Sequence, residues 1–205
     1  EGVRRLAVAR LLSDSSAGED TLHRALEILQ KDPSMVVRSA VCRKIGPRIN
    51  EAALTILAEY TARPTHPLYG PCLVGLVSSW SSPRRPRPSS KAAYELSLQR
   101  LRERPPGHRT IPRAVISALS WAADPSMRRR QPWVEQQALL AVLGELIADR
   151  QVHWRVRTDA VDLATKLGCT AGFLAAKSRQ YDGATGQDAV VQRRLIQAMQ
   201  VLESP

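Results

Sequence analysis

The chain has 205 residues, a net charge of +11 and 43% hydrophobic residues. This length and apolar content are typical of a folded domain or a repeat array and exclude a largely disordered chain. No apolar run approaches the ~18 residues of a membrane-spanning helix, so we expect no membrane insertion.

Helical periodicity dominates the first part of the chain, whereas alternating strand patterns and hairpin turns are missing. Asp32 and Gly46 are predicted to bound a short helix. Asp32 is predicted to be its N-cap, Pro33 to set its first turn, and Gly46 to end it in the left-handed conformation. The sequence predicts helices over residues 2–12, 19–31, 50–63 and 68–80, and a short helix within residues 32–46.

The second part of the chain begins with a Pro-, Arg- and Ser-rich segment, residues 81–90, which predicts an extended loop between repeats. A second basic loop is predicted over residues 124–131. Gly168 is predicted to end the helix over residues 152–167. The remaining helices are predicted over 91–104, 111–123, 132–149, 152–167, 171–181 and 187–202.

Six of the predicted helices share a frame in which an apolar residue recurs at every fourth position. An intervening helix separates each of them from the next, which indicates helix pairs that share a core with their neighbours. The six sets are Val3/Ala7/Leu11, Val37/Val41/Ile45, Leu68/Cys72/Leu76, Ile111/Val115/Leu119, Val156/Ala160/Ala164 and Val191/Leu195/Met199.

Three of these helices open with Val-Arg, at Val3-Arg4, Val37-Arg38 and Val156-Arg157. Together with Asp-Pro before and Ile-Gly after the second copy, this resembles the consensus of HEAT repeats. The resemblance implies an all-α solenoid of about 5–6 antiparallel helix pairs, forming a single array over residues 1–205. It also implies that this Arg bonds an Asp near the turn within the repeat, with Asp32 and Asp149 as candidates and Arg38–Asp32 as the expected pair.

The first residues already look like the middle of a repeat, so we expect the array to be a fragment of a longer chain. Cys42, Cys72 and Cys169 are odd in number and widely spaced. This pattern argues against a disulfide framework and predicts buried free thiols in a reducing, cytoplasmic compartment.

Positive charge is concentrated in residues 84–130, where twelve Arg and Lys face three Asp and Glu, so this segment carries +9 of the net +11. Such a cluster attracts an acidic protein surface or a phosphate backbone, with salt-dependent affinity, although it is also typical of a merely solvated loop. We expect a non-catalytic binding or scaffold module whose partner is a protein, with nucleic acid as an alternative. The predicted contact residues are Arg84, Arg85, Arg87, Arg100, Arg104, Arg128, Arg129 and Arg130.

No catalytic motif stands out, and His and Cys lack the spacing of a zinc site, so no metal or cofactor is expected. Four tryptophans near helix ends are predicted to be partly buried between repeats. The alternative pairs Trp121 with Asp124, or Trp154 with Asp159 and Asp162, in a pocket that resembles the HEAT-like alkylpurine DNA glycosylases. A third hypothesis is a sensor or regulatory array of a larger multidomain protein.

Overall fold

The protein is all-α in the computed structural model, which describes residues 2–13, 18–81, 88–103, 111 and 113–204, without the side chains of Ser13 and Arg128. No strand occurs among these residues, as the sequence predicts. The α-helices are α1 (Gly2–Ser13), α2 (Glu19–Lys31), α3 (Met35–Ile45), α4 (Glu51–Thr61), α5 (Tyr69–Ser81), α6 (Ser90–Arg102), α7 (Arg113–Leu119), α8 (Pro125–Arg130), α9 (Gln136–Ala148), α10 (Trp154–Lys166), α11 (Ala171–Ser178) and α12 (Gly186–Glu203).

The chain divides into two compact units, Glu1–Arg100 and Leu101–Pro205. In the first unit, α3 packs between α1 and α5, while α2 packs on α3 and α4 packs on α5. The predicted core residues of α3 and α5 are fully buried, and so is Leu68, which belongs to the second predicted set and directly precedes α5. In α1 the prediction is wrong, because Val8 and Leu12 are buried whereas Val3 and Leu6 are exposed.

The two ends of α3 differ from their prediction in three respects. Ser34, not Asp32, is the N-cap residue, and its hydroxyl accepts a hydrogen bond from the Val37 amide at 3.4 Å. Asp32 lies two residues before Ser34; its carboxylate accepts a hydrogen bond from the Ser34 amide at 2.7 Å and pairs with Arg4 at 3.0 Å. Gly46 has right-handed helical angles, φ −47° and ψ −53°, and continues into a short 3-10 turn.

The contact between α3 and α5 depends on glycine. A Cβ on Gly75 would overlap the carbonyl oxygen of Cys42, and a Cβ on Gly46 would overlap the carbonyl oxygen of Gly75. At this crossing Cys42 and Cys72 are buried and joined as a disulfide, with Cα atoms 4.6 Å apart. The prediction of three free thiols is therefore wrong for two of them, and the cysteines no longer support a reducing compartment.

In the second unit, α10 contacts α7, α9 and α12, and α11 contacts α9 and α12. Five of the six residues of the predicted frame in α10 and α12 are fully buried. Gly168 follows α10 with a left-handed φ of +77°, and its amide donates to the Thr165 carbonyl at 2.9 Å, which confirms the predicted helix stop at this residue. The prediction of a basic loop over residues 124–131 is wrong, because residues 125–130 form α8.

No helix among the described residues is long and apolar enough to cross a membrane.

Candidate functional site

The predicted contact arginines are described only in part. Arg100 lies in α6, where it is half-buried and its carbonyl accepts a hydrogen bond from the Tyr69 hydroxyl at 3.2 Å. Its backbone therefore anchors the packing of the first unit. Arg128 lies in α8, without a described side chain, and four of the predicted arginines fall outside the described residues: Arg84, Arg85, Arg87 and Arg104.

The short helix α8 carries the exposed arginines Arg129 and Arg130. It forms because Asp124 caps it, accepting from the Ser126 amide at 2.8 Å, and because Pro125 occupies its first turn. The hydrogen bonds from Ser126, followed by the charges of Arg130 and Arg129, hold the pKa of Asp124 below its usual value. Asp124 is thus an ionised cap.

An exposed tryptophan lies directly before α8. Trp121 is 48% exposed and belongs to the 3-10 segment Ser120–Ala123, on which α8 packs. The predicted partial burial is found for Trp133 and Trp154. Trp80 is fully buried and donates its indole N–H to Ser97 Oγ at 3.1 Å. Trp121 is the one among them with about half of its surface open to a partner.

A groove of about 420 Å³ runs between α7 and α10. On its α7 side, Arg113 forms a bidentate pair with Asp159, at 2.6 and 2.9 Å. Asp162 contributes to the same groove and pairs with Arg194 of α12 at 2.5 Å. Both carboxylates are therefore neutralised by guanidinium groups that link neighbouring helices.

The structure does not bring together the residues of the predicted glycosylase-like pocket. Asp159 and Asp162 line the groove, whereas Trp154 lines a different cavity. The Asp124 carboxylate caps α8. None of the three candidate acids is thus both unpaired and next to its expected tryptophan.

The second cavity, of about 330 Å³, was not predicted from the sequence. It lies where the start of α10 meets the start of α12, and its lining includes Arg150, His153, Trp154, Arg157 and Gln187. Apart from Trp154, which was expected in a pocket with Asp159 and Asp162, the sequence signal for this cavity is Val156-Arg157. That motif identifies one residue and gives no indication of Gln187, thirty positions later.

Arg157 is 2% exposed and is held by a polar cluster rather than by the expected Asp149. Its Nη1 donates to the Tyr181 hydroxyl at 2.8 Å and its Nη2 to Asp188 at 2.7 Å. Tyr181 in turn donates to the Ile147 carbonyl, and burial raises its pKa although Arg157 opposes the shift. Tyr181 is therefore a neutral phenol at physiological pH.

Among the described residues, no group of three or more His, Cys, Asp or Glu side chains is arranged to hold a metal ion. The chain matches no protein-family model, no curated protein and no solved structure. The HEAT resemblance therefore depends on the sequence motifs and on the helix packing alone.

Proposed function

We propose that the chain is a non-catalytic binding module made of HEAT-like helix pairs, which presents a cationic and aromatic surface to an acidic protein partner. The packing within each unit supports the repeat interpretation. In the first unit α1, α3 and α5 are successive neighbours, and in the second α7, α10 and α12 are successive neighbours. Each intervening helix packs on the next helix of its series, with α2 on α3, α4 on α5, α9 on α10 and α11 on α12, as a repeat of helix pairs requires.

The observation that carries the proposal is the exposed Trp121 in the 3-10 segment on which α8 packs, together with the exposed Arg129 and Arg130 of α8. Tryptophan and arginine are the residue types that contribute most binding energy at protein interfaces. A partly exposed indole is apolar area that a partner can cover, and the guanidinium groups select an acidic surface. We call Trp121, Arg129 and Arg130 the α8 surface.

The state of the candidate acids favours binding over hydrolytic chemistry. Asp159 is paired with Arg113, Asp162 with Arg194, and Asp124 is bonded to Ser126. A general base must lie within hydrogen-bond reach of the proton that it abstracts, whereas these carboxylates are engaged by other groups of the chain itself. This supports a module that recognises a partner, and it ranks the glycosylase-like alternative below it.

The α8 surface is tested by titrating a fluorescein-labelled peptide rich in Asp and Glu and following its anisotropy. The test variant is Arg129→Glu/Arg130→Glu. Its matched control is Arg24→Glu/Arg43→Glu, which makes the same change of charge at exposed positions of the first unit. We expect the test variant to bind about tenfold more weakly, because two attractions become repulsions.

The same titration with a duplex DNA separates the alternatives. A duplex that binds more tightly than the peptide at matched ionic strength, and that loses affinity in the test variant, would contradict a protein partner in favour of nucleic acid. A sensor array within a larger protein remains a further proposal. It predicts that the acidic surface belongs to another part of the same polypeptide.

A further inference from the structure

The cavity between the starts of α10 and α12 holds more positive than negative charge. Arg150 and Arg157 both line it, and both pair with the single carboxylate of Asp188, at 3.7 and 2.7 Å. The nearby Asp149 accepts from the Gln151 amide at 3.0 Å, and the added cation Arg155 lies over the Trp154 ring at 5.1 Å. One guanidinium of the pair is therefore without a carboxylate of its own.

The buried guanidinium also keeps an unused donor. Arg157 is 2% exposed, and its Nε has no hydrogen-bond partner among the described residues, although both Nη atoms are bonded. Leaving a buried charged donor unsatisfied is costly. An oxyanion in the cavity would offset this cost.

Three further features of the cavity favour an anion. His153 Nδ1 accepts from the Arg155 amide at 3.2 Å, so in the neutral ring Nε2 carries the proton and is a donor. Gln187 contributes a carboxamide in the first turn of α12. The N-cap residue of that 18-residue helix, Thr185, makes no side-chain capping bond, so Asp188 in the first turn is the one acidic group at this helix start.

We propose that this cavity binds an oxyanion of the phosphate type, held by Arg150, Arg157, His153 and Gln187. The unbonded Arg157 Nε–H, the Arg150 guanidinium, an imidazole N–H and a helix start are donors of the kinds that phosphate recognition uses. The phosphate belongs either to a small metabolite or to a phosphorylated side chain of a protein. The site shares no residue with the α8 surface, so the test of phosphate binding is independent of the test of the proposed function.

The test is an NMR titration of the ¹⁵N-labelled chain with inorganic phosphate, against sodium chloride of equal ionic strength. The Trp154 indole signal and the Gln187 amide report on the cavity. Arg150→Gln removes one guanidinium from an exposed position. Gln187→Glu adds a carboxylate at an exposed position in the first turn of α12, where a negative charge stabilises the helix. Arg193→Gln, on the same helix but outside the cavity, is the matched control.

We expect saturable shifts confined to the cavity, about tenfold weaker binding in Arg150→Gln, loss of saturation in Gln187→Glu, and no change in Arg193→Gln. Equal shifts with chloride, or equal affinity in all four proteins, would overturn the site. A phosphoserine peptide and glycerol phosphate then distinguish the sources. Tighter binding of the peptide assigns the site to a phosphorylated protein, and tighter binding of the ester assigns it to a metabolite.

Discussion

The arginines of this chain differ in what their guanidinium groups contact. Arg38 donates to the Leu29 carbonyl at 2.7 Å and to the Tyr60 hydroxyl at 2.9 Å, so it joins α2, α3 and α4. Arg157 does the same between α10 and α12 through Tyr181 and Asp188. Such arginines hold helices together from buried or half-buried positions, whereas Arg129 and Arg130 are exposed.

The Arg157–Asp188 pair gives a prediction for stability. Asp188→Asn should lower the free energy of unfolding by about 3 kcal/mol, because it leaves a buried cation without its carboxylate. Urea unfolding followed by circular dichroism measures the change. Asp162→Asn breaks a more exposed pair and should cost less than about 1 kcal/mol; a similar loss in both variants would refute the special role of the buried pair.

His66 gives a prediction for pH dependence. Burial, then the charges of Arg38 and Arg63, lower the pKa of this histidine from its ordinary value of 6.5, and Glu59 opposes them. Its Nδ1 accepts from the Leu68 amide at 3.1 Å. Because the unfolded imidazole binds its proton more tightly than the folded one, the stability that His66 contributes is lost as the pH falls below about 6.5.

The pKa of His66 can be measured by titrating its ring carbon signals in NMR. Arg63→Gln should raise this pKa, because an exposed nearby cation is removed, and Glu59→Gln should lower it further, because an anion is removed. Shifts in the same direction for both variants would show that the charges are not its cause.

At the scale of elements, the close contact of α3 and α5 explains a sequence that looks unfavourable for helix. Tyr69–Ser81 contains Pro71 and Gly75, yet it forms a helix because Pro71 lies in the first turn and Gly75 faces the Cys42 carbonyl. Tertiary packing therefore outweighs the intrinsic cost of glycine within a helix. Gly46 has the same role on α3, where a helix stop was expected.

Gly75→Ala should destabilise the chain by about 2–3 kcal/mol, because the added methyl group overlaps backbone that cannot move without separating two helices. Thermal and urea unfolding measure this loss. Gly172→Ala is the matched substitution, since its nearest neighbour would be Thr170 Oγ1 at 3.8 Å, and it should be neutral or slightly stabilising. Equal effects at the two glycines would contradict the close contact.

At the scale of the whole molecule, the sequence is informative about helices and core and much less about surfaces. The apolar frame identifies buried residues such as Val37, Val115 and Val156, because periodicity reports directly on which face meets a neighbour. It fails in α1, where Val3 is exposed, because a single helix can satisfy the frame with either of two apolar faces.

The functional surfaces depend on contacts between distant residues, which a single sequence does not contain. The charge count locates Arg129 and Arg130, but it gives no sign that α8 is a helix or that Trp121 is exposed beside it. The cavity of Arg150 and Gln187 forms only when α10 packs on α12. Likewise, Asp32 pairs with Arg4 rather than the nearer Arg38, because partners are selected by helix packing and not by sequence distance.

The most direct test of the binding account is the peptide titration of Arg129→Glu/Arg130→Glu beside Arg24→Glu/Arg43→Glu. The account predicts about tenfold weaker binding in the first variant only, with a smaller salt dependence than in the unmodified chain. Equal losses in the two variants would show that the peptide senses only the net charge of the protein, and would contradict a binding site at the α8 surface.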